Sequence, residues 1–160
     1  DPIYKLKSIK NSYEIKHMIE AHKKDGLALT RFIYWIKNIN KKDITEFTAQ
    51  NKLEKFTRMS NDYLYPSFNT IAGTGSNGAI VHYRATQQKT KKTGKNDILL
   101  CDSGGQYTYG TTDVTRTLSF TKPKLYIKNI YTKVLKGHIA VVLTNLKKDN
   151  TGKKIDLWAR

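Results

Sequence analysis

The sequence predicts an α+β fold in which helices back antiparallel strands, and three observations predict it. Apolar residues recur with helical period from Asn11 to about Lys37 and again beyond Thr45. The stretch from Phe68 to Phe120 breaks into short β-branched runs punctuated by glycine, and a helical pattern returns after Pro123. With 160 residues the chain is long enough for one domain with a real core, and is expected to be one compact unit or part of one.

The first helix is expected to start at Asn11, an N-cap-like residue with Glu14 three positions on. It carries Ile15, Met18, Ile19, Leu29, Ile33 and Ile36 at helical spacing to about Lys37. A second begins near Asp43 or Thr45, with Glu46 placed for a capping box from Asp43; it turns Ala49, Leu53 and Phe56 inward and stops at "SNDY". Residues 68–83, "FNTIAGTGSNGAIVHY", read as two strands joined by a turn, followed by the polar, basic loop "RATQQKTKKTGKND". "DILLCDS" reads as a buried strand, "QYTYGTTD" as a turn region and "VTRTLSF" as a return strand, together a hairpin. Pro123 near an N1 position opens a third helix that carries Ile127, Ile130, Val134, Ile139 and Val142 to about Leu146. "DNTGKKIDLWAR" reads as a turn and the first turns of a fourth helix.

No apolar run approaches the ~18 residues needed to cross a bilayer, and "DPIYKLKSIK" has no signal-peptide core, so a soluble, cytoplasmic protein is expected. The lone Cys101 cannot form an internal disulfide, which agrees with a reducing compartment; "DILLCDS" makes it a buried strand residue. The net charge of +16 invites a nucleic-acid reading. Lysine supplies 24 of the 29 cationic residues, spread along the chain, with few arginines and no recognisable nucleic-acid motif. The charge therefore predicts non-specific adhesion to polyanions and no specific nucleic-acid partner.

The segment "CDSGGQYTYGTTDVTRT" holds two acids, Asp102 and Asp113. If they lie opposite each other across a hairpin centred near Tyr107 and Thr108, their Cβ atoms are ~4.5–5.5 Å apart on one face. Two carboxylates that close either share a proton or enclose a cation. Carboxylate oxygens suit Mn²⁺, Mg²⁺, Co²⁺ or Zn²⁺, and Ser103, Thr111, Thr112 and Thr115 are placed to orient them. Asp is also common where strands end beside Gly and Ser, and spacing alone leaves that turn reading open.

"DSGGQYTYGTTDVTRT" resembles the first metal-binding signature of the pita-bread metallopeptidases, and "TGSNGAIVHY" and "VLKGHIAV" are similar to the long, three-domain Xaa-Pro aminopeptidases within that family. The resemblance covers essentially the whole chain. It implies half of a pita-bread fold, a curved antiparallel sheet backed by helices, with residues 1–160 as the N-terminal half of the catalytic domain, truncated ahead of a stretch like HGTGHGVG. It implies a dinuclear divalent-metal site, commonly Mn²⁺, with a bridging hydroxide as nucleophile, and release of the residue that precedes proline in peptides with proline second. Asp102 and Asp113 carry over as metal ligands, and His82 as a substrate-pocket residue that steadies the developing oxyanion without binding metal. A histidine and two glutamates complete the family's site further along. The chain is therefore expected to hold two of five protein ligands, to be inactive alone, and to need a C-terminal half or a second copy as partner. A catalytically inactive module that binds peptide or protein, and a polyanion binder, are the alternatives. His17 and His22 are expected at the surface or in packing, His138 in packing or a structural hydrogen bond, and Arg116 in a pair with an acid or a backbone carbonyl.

Overall fold

The computed structural model describes residues 1–39, 44–145 and 151–160. The chain divides into two compact units, Asp1–Phe120 and Thr121–Arg160.

The first unit opens with α1 (Pro2–Ser8), a short helix absent from the sequence reading and started by Asp1, whose carboxylate accepts from the Ile3 amide. In α2 (Ser12–Asn38) the expected Asn11–Glu14 capping box is present in both directions. The buried stripe of α2 is Ala21, Asp25, Ala28, Leu29, Phe32 and Ile36, while Ile15, Met18 and Ile19 are exposed. In α3 (Glu46–Thr57) the N-cap is Thr45, in a reciprocal box with Thr48. Asp43, the other candidate cap, lies outside the described residues. Glu46 therefore does not serve as the capping acid: it is the first helical residue and is fully buried.

Six strands follow: β1 (Tyr63–Pro66), β2 (Ile71–Thr74), β3 (Ile98–Ser103), β4 (Gly105–Tyr107), β5 (Gly110–Thr111) and β6 (Val114–Ser119). They form two antiparallel sheets, ordered β1-β4-β5 and β2-β3-β6. The second strand expected before Tyr83 is replaced by a 3₁₀ helix, Gly75–Ala79. The glycines explain why: Gly75 takes φ 57°, and a Cβ on Gly73 would stand 2.8 Å from the Gly78 Cα, so the segment folds back onto β2 instead of extending.

β3 pairs with β6 from Ile98↔Ser119 to Ser103↔Val114, and β4 pairs with β5 through Gln106↔Thr111 and Tyr107↔Gly110. The same register runs through both sheets and closes at Thr108 and Tyr109. Half of the expected turn region, Gln106, Tyr107, Gly110 and Thr111, is thus strand. Along β3, Leu99, Cys101 and Ser103 are buried, and the intervening Leu100 and Asp102 take the other face. Leu99 and Cys101 join Leu29, Phe32 and Ile36 of α2, Ala49 and Leu53 of α3, Ala72 and Leu118 in the core. Burying the Leu, Ile and Phe side chains among them stabilises the unit by roughly 1.5–3 kcal/mol each.

The second unit contains α4 (Leu125–Val142) and α5 (Gly152–Ala159). Lys124 is the N-cap of α4, so Pro123 lies just outside the helix and not at its first position. Leu146, the expected end, lies outside the described residues. Gly137 faces α5, where a Cβ would be 3.1 Å from the Ala159 carbonyl oxygen. No side chain of either helix is buried, and Leu125, Ile130, Val134, Leu135 and Ile139 are among the exposed apolar residues. Among the described residues, no helix is long and apolar enough to cross a membrane.

Candidate metal centre

Asp102 sits near the end of β3, the central strand of its sheet, flanked by Ile71 of β2 and Thr115 of β6. Its direct cross-strand partner is therefore Thr115 and not Asp113. Because the hairpin closes at Thr108 and Tyr109, one residue later than the expected centre, every partner shifts by two, so that Asp113 falls opposite Gly104 and meets Asp102 on the diagonal. Residues two apart on a strand share a face, so both carboxylates still leave the same side of the sheet. They interact there, and the Thr115 hydroxyl donates to Asp102 Oδ1 at 2.8 Å. Partial burial holds the Asp102 carboxyl above the usual carboxylate range, and the neighbouring Asp113 charge adds to this; the Thr115 hydrogen bond and His82 work the other way.

Small residues around Asp113 fix its position. Thr112 is buried; its amide donates to the Gly105 carbonyl at 2.9 Å, its Oγ1 accepts from the Gly105 amide at 2.8 Å, and its carbonyl accepts from Ser67 Oγ at 2.8 Å. Gly104 must be glycine, because a Cβ there would stand 2.0 Å from the Thr112 carbonyl oxygen and 2.4 Å from Ser67 Oγ. Of the four hydroxyls expected to orient the acids, only Thr115 is seen to do so. Ser103 is buried on the other face, Thr112 anchors the backbone, and Thr111 donates to Gln106 Oε1 at 2.6 Å.

His82 lies after the 3₁₀ helix with φ 53°, the one non-glycine residue at positive φ among the described residues. It is exposed, close enough to Asp102 to lower that residue's pKa, and lines an open concavity of about 490 Å³ with Asn77, Tyr83 and Arg84. Two other histidines of the first unit make contacts of their own. His17 packs its ring against Tyr109 at 5.7 Å, and His22 Nδ1 donates to the Met18 carbonyl of its own helix. Arg116 Nη1 donates to the Thr115 carbonyl, as expected.

Two buried carboxylates were missed as such by the sequence reading. Asp25 accepts from the Tyr107 hydroxyl at 3.1 Å beneath the β4–β5 turn, and Glu46 lies below the His82 loop. Helical periodicity gives no sign that a charged residue faces inward. Among the described residues no three His, Cys, Asp or Glu side chains come together as a metal site. The donor set present is two adjacent anionic oxygen ligands. It fits the hard or borderline divalent ions inferred from the sequence, and it is incomplete by itself. Lysine, frequent elsewhere, is absent between Lys95 and Lys122, which leaves the carboxylate hairpin without an ammonium of its own.

A family model described as Metallopeptidase family M24 matches residues 16–160. The chain belongs to metallopeptidase family M24. Two similar M24 relatives are the probable Xaa-Pro aminopeptidase P of Coccidioides posadasii (strain RMSCC 757 / Silveira), 43% identical, and the Xaa-Pro aminopeptidase ApepP of Drosophila melanogaster, 40% identical. Each match covers 99% of this chain and 26% of the relative. The crystal structure of X-prolyl aminopeptidase from Caenorhabditis elegans, described as a cytosolic enzyme with a di-nuclear active site, superposes with a TM-score of 0.84 at 31% identity, over 94% of this chain and 25% of that one. The fold is the pita-bread fold of these M24 enzymes, and the chain spans about a quarter of the length of the curated relatives it matches.

Proposed function

We propose that this M24 chain is the N-terminal half of the catalytic domain of a metal-dependent Xaa-Pro aminopeptidase, with Asp102 and Asp113 as two of its metal ligands. The observation that carries the reading is the diagonal carboxylate pair on one face of the β3–β6 hairpin, with His82 beside it. Divalent ions held there, with Mn²⁺ as the first choice, supply Lewis-acid polarisation of the scissile carbonyl and an activated water. Asp102 and Asp113 hold the charge, and the Thr115 hydroxyl fixes the orientation of Asp102. His82 faces the substrate and donates a hydrogen bond to the carbonyl oxygen as negative charge develops on it. The substrate is a peptide with proline second, and the first residue is released. Cytoplasmic placement is supported by the single, buried cysteine.

The remaining ligands come from a C-terminal half of the catalytic domain. The 160 residues alone are therefore expected to leave Xaa-Pro peptides intact with Mn²⁺, Co²⁺ or Zn²⁺. Co-expression with the C-terminal half of a relative's catalytic domain is expected to give metal-dependent cleavage that Asp113→Ala abolishes. A well-formed complex that stays inactive with all three ions would overturn the reading in favour of a half-domain that binds peptide or protein without hydrolysis.

A further inference from the structure

Glu46 is 0% exposed, and each of its carboxylate oxygens accepts two hydrogen bonds. Oε1 takes the Thr74 amide at 2.7 Å and Asn77 Nδ2 at 2.9 Å; Oε2 takes the Tyr83 hydroxyl at 2.7 Å and the Lys91 amide at 2.9 Å. None of these donors is a cation. The negative charge is held by neutral dipoles and by its place at the N-terminus of α3. A buried carboxylate so satisfied is rigid, because releasing any donor leaves an unpaired charge in a dry site.

The four donors are not scattered. Thr74 is the last residue of β2 and Tyr83 follows His82, so the loop from Gly75 to His82 is tied at both ends to one side chain and at Asn77 in its middle. Asn77 Nδ2 also donates to the Tyr83 hydroxyl at 3.0 Å. The loop starts and finishes on left-handed residues: Gly75 at φ 57°, where glycine pays no steric cost, and His82 at φ 53°, where a side chain does. Such a conformation persists only when its surroundings over-determine it. The buried Tyr83, anchored through its hydroxyl to Glu46 and through its amide to the Ile80 carbonyl at 3.2 Å, is the neighbour that imposes it.

We infer that Glu46 is a positioning residue for His82: through Thr74, Asn77 and Tyr83 it holds the Gly75–His82 loop in the strained form that presents the imidazole beside Asp102. The functional consequence rests on the reading of His82 as the substrate-facing group; the conformational claim does not.

The test uses the isotope-labelled 160-residue chain without metal or substrate. The strength of the intraresidue amide-to-Hα contact of His82 in NMR reports its left-handed backbone, and hydrogen exchange at Leu99 and Cys101 reports the integrity of β3. Glu46→Gln is expected to abolish the left-handed signature, and Tyr83→Phe, which removes a single donor, to weaken it, with exchange at β3 unchanged in Tyr83→Phe. His82→Gly takes the same backbone form freely, so the melting-temperature loss caused by Tyr83→Phe is expected to shrink by about half in that background. If Glu46→Gln fails to fold, the Tyr83→Phe and His82→Gly cycle decides. A His82 that stays left-handed in both variants, or equal losses in the two backgrounds, overturns the inference. Inactivity of the completed enzyme would instead count against the metal-site reading and leave this one standing.

Discussion

Asp25 is 3% exposed under the β4–β5 turn, and burial drives its pKa up more strongly than the Tyr107 and Thr112 hydroxyls pull it down. A carboxyl with a raised folded pKa contributes stability that is fully present below its unfolded value of about 3.9 and is lost as pH rises through the folded value. Asp25→Asn keeps an acceptor for Tyr107 without the charge. Its melting temperature is expected to exceed wild type by a few degrees at pH 8, with the difference closing towards pH 4; a pH-independent difference in thermal melts would contradict this. Glu46 has the opposite sign. Burial raises its pKa, but the Thr74 amide, the Tyr83 hydroxyl, the Lys91 amide and Asn77 outweigh it, leaving the value below the usual range. Its contribution is present above about pH 4.3 and is lost as pH falls through the depressed folded value. Glu46→Ala strands four donors and is expected to cost on the order of 3 kcal/mol or more, read from urea unfolding at pH 7. At the proposed metal pair, weak Mn²⁺ binding is expected, and Asp102→Asn and Asp113→Asn are each expected to abolish it. Equal calorimetric affinity in wild type and both variants would show that these residues are not ligands.

The β3–β6 hairpin decides how its two acids meet. Its register places Asp113 opposite Gly104, and the space between Gly104 and the Thr112 carbonyl admits no Cβ. Gly104→Ala is therefore expected to destabilise the first unit by about 3 kcal/mol and to push Asp113 away from Asp102. Chemical denaturation would give the first effect and loss of Mn²⁺ binding by the still-folded fraction the second. Retention of wild-type metal binding would show that the pair tolerates a shift of the hairpin. Part of this element was legible: "DILLCDS" read as a buried strand with Cys101 inside, and burial indeed pushes the Cys101 thiol up to about 12. The pairing offset was not legible. A two-residue closure at Thr108 and Tyr109 and one at Tyr107 and Thr108 both suit the same residues, and the packing of β4 against β1, with Tyr63 opposite Tyr107, goes with the former.

At the scale of the molecule, α4 exposes apolar residues, with Leu125, Val134 and Val142, and the capping Leu143 just beyond it, each 66% exposed or more. An apolar helix of this kind needs a cover, and the relatives are about four times as long as the matched segment. Joining the proposed C-terminal half is expected to raise the cooperativity of unfolding and to protect α4 amides from hydrogen exchange. Unchanged exchange across α4 in the joined protein would mean that the helix is not part of that interface. The charge of +16 acts at the same scale. Binding to duplex DNA is expected to be weak, indifferent to sequence and to fall steeply with salt, whereas sequence-selective binding at physiological salt would revive a nucleic-acid role.

The sequence by itself determined helices α2 to α5, the paired acids and the side of the sheet they share, because these follow from periodicities of 3.6 and 2 and from side-chain chemistry within a few residues. It also determined the family, since "DSGGQYTYGTTDVTRT" combines the acids with the glycines and threonines that their positions require. The tertiary structure alone decided that Asp102 faces Thr115, that Glu46 is a buried anchor and not a helix cap, that Asp25 supports Tyr107, and that His82 is left-handed. Each of these depends on groups brought together from distant parts of the chain: the donors to Glu46 lie 28 to 45 residues away, and the donor to Asp25 lies 82 away. A local pattern carries no record of such partners, and burial of a charge is permitted only once they are in place.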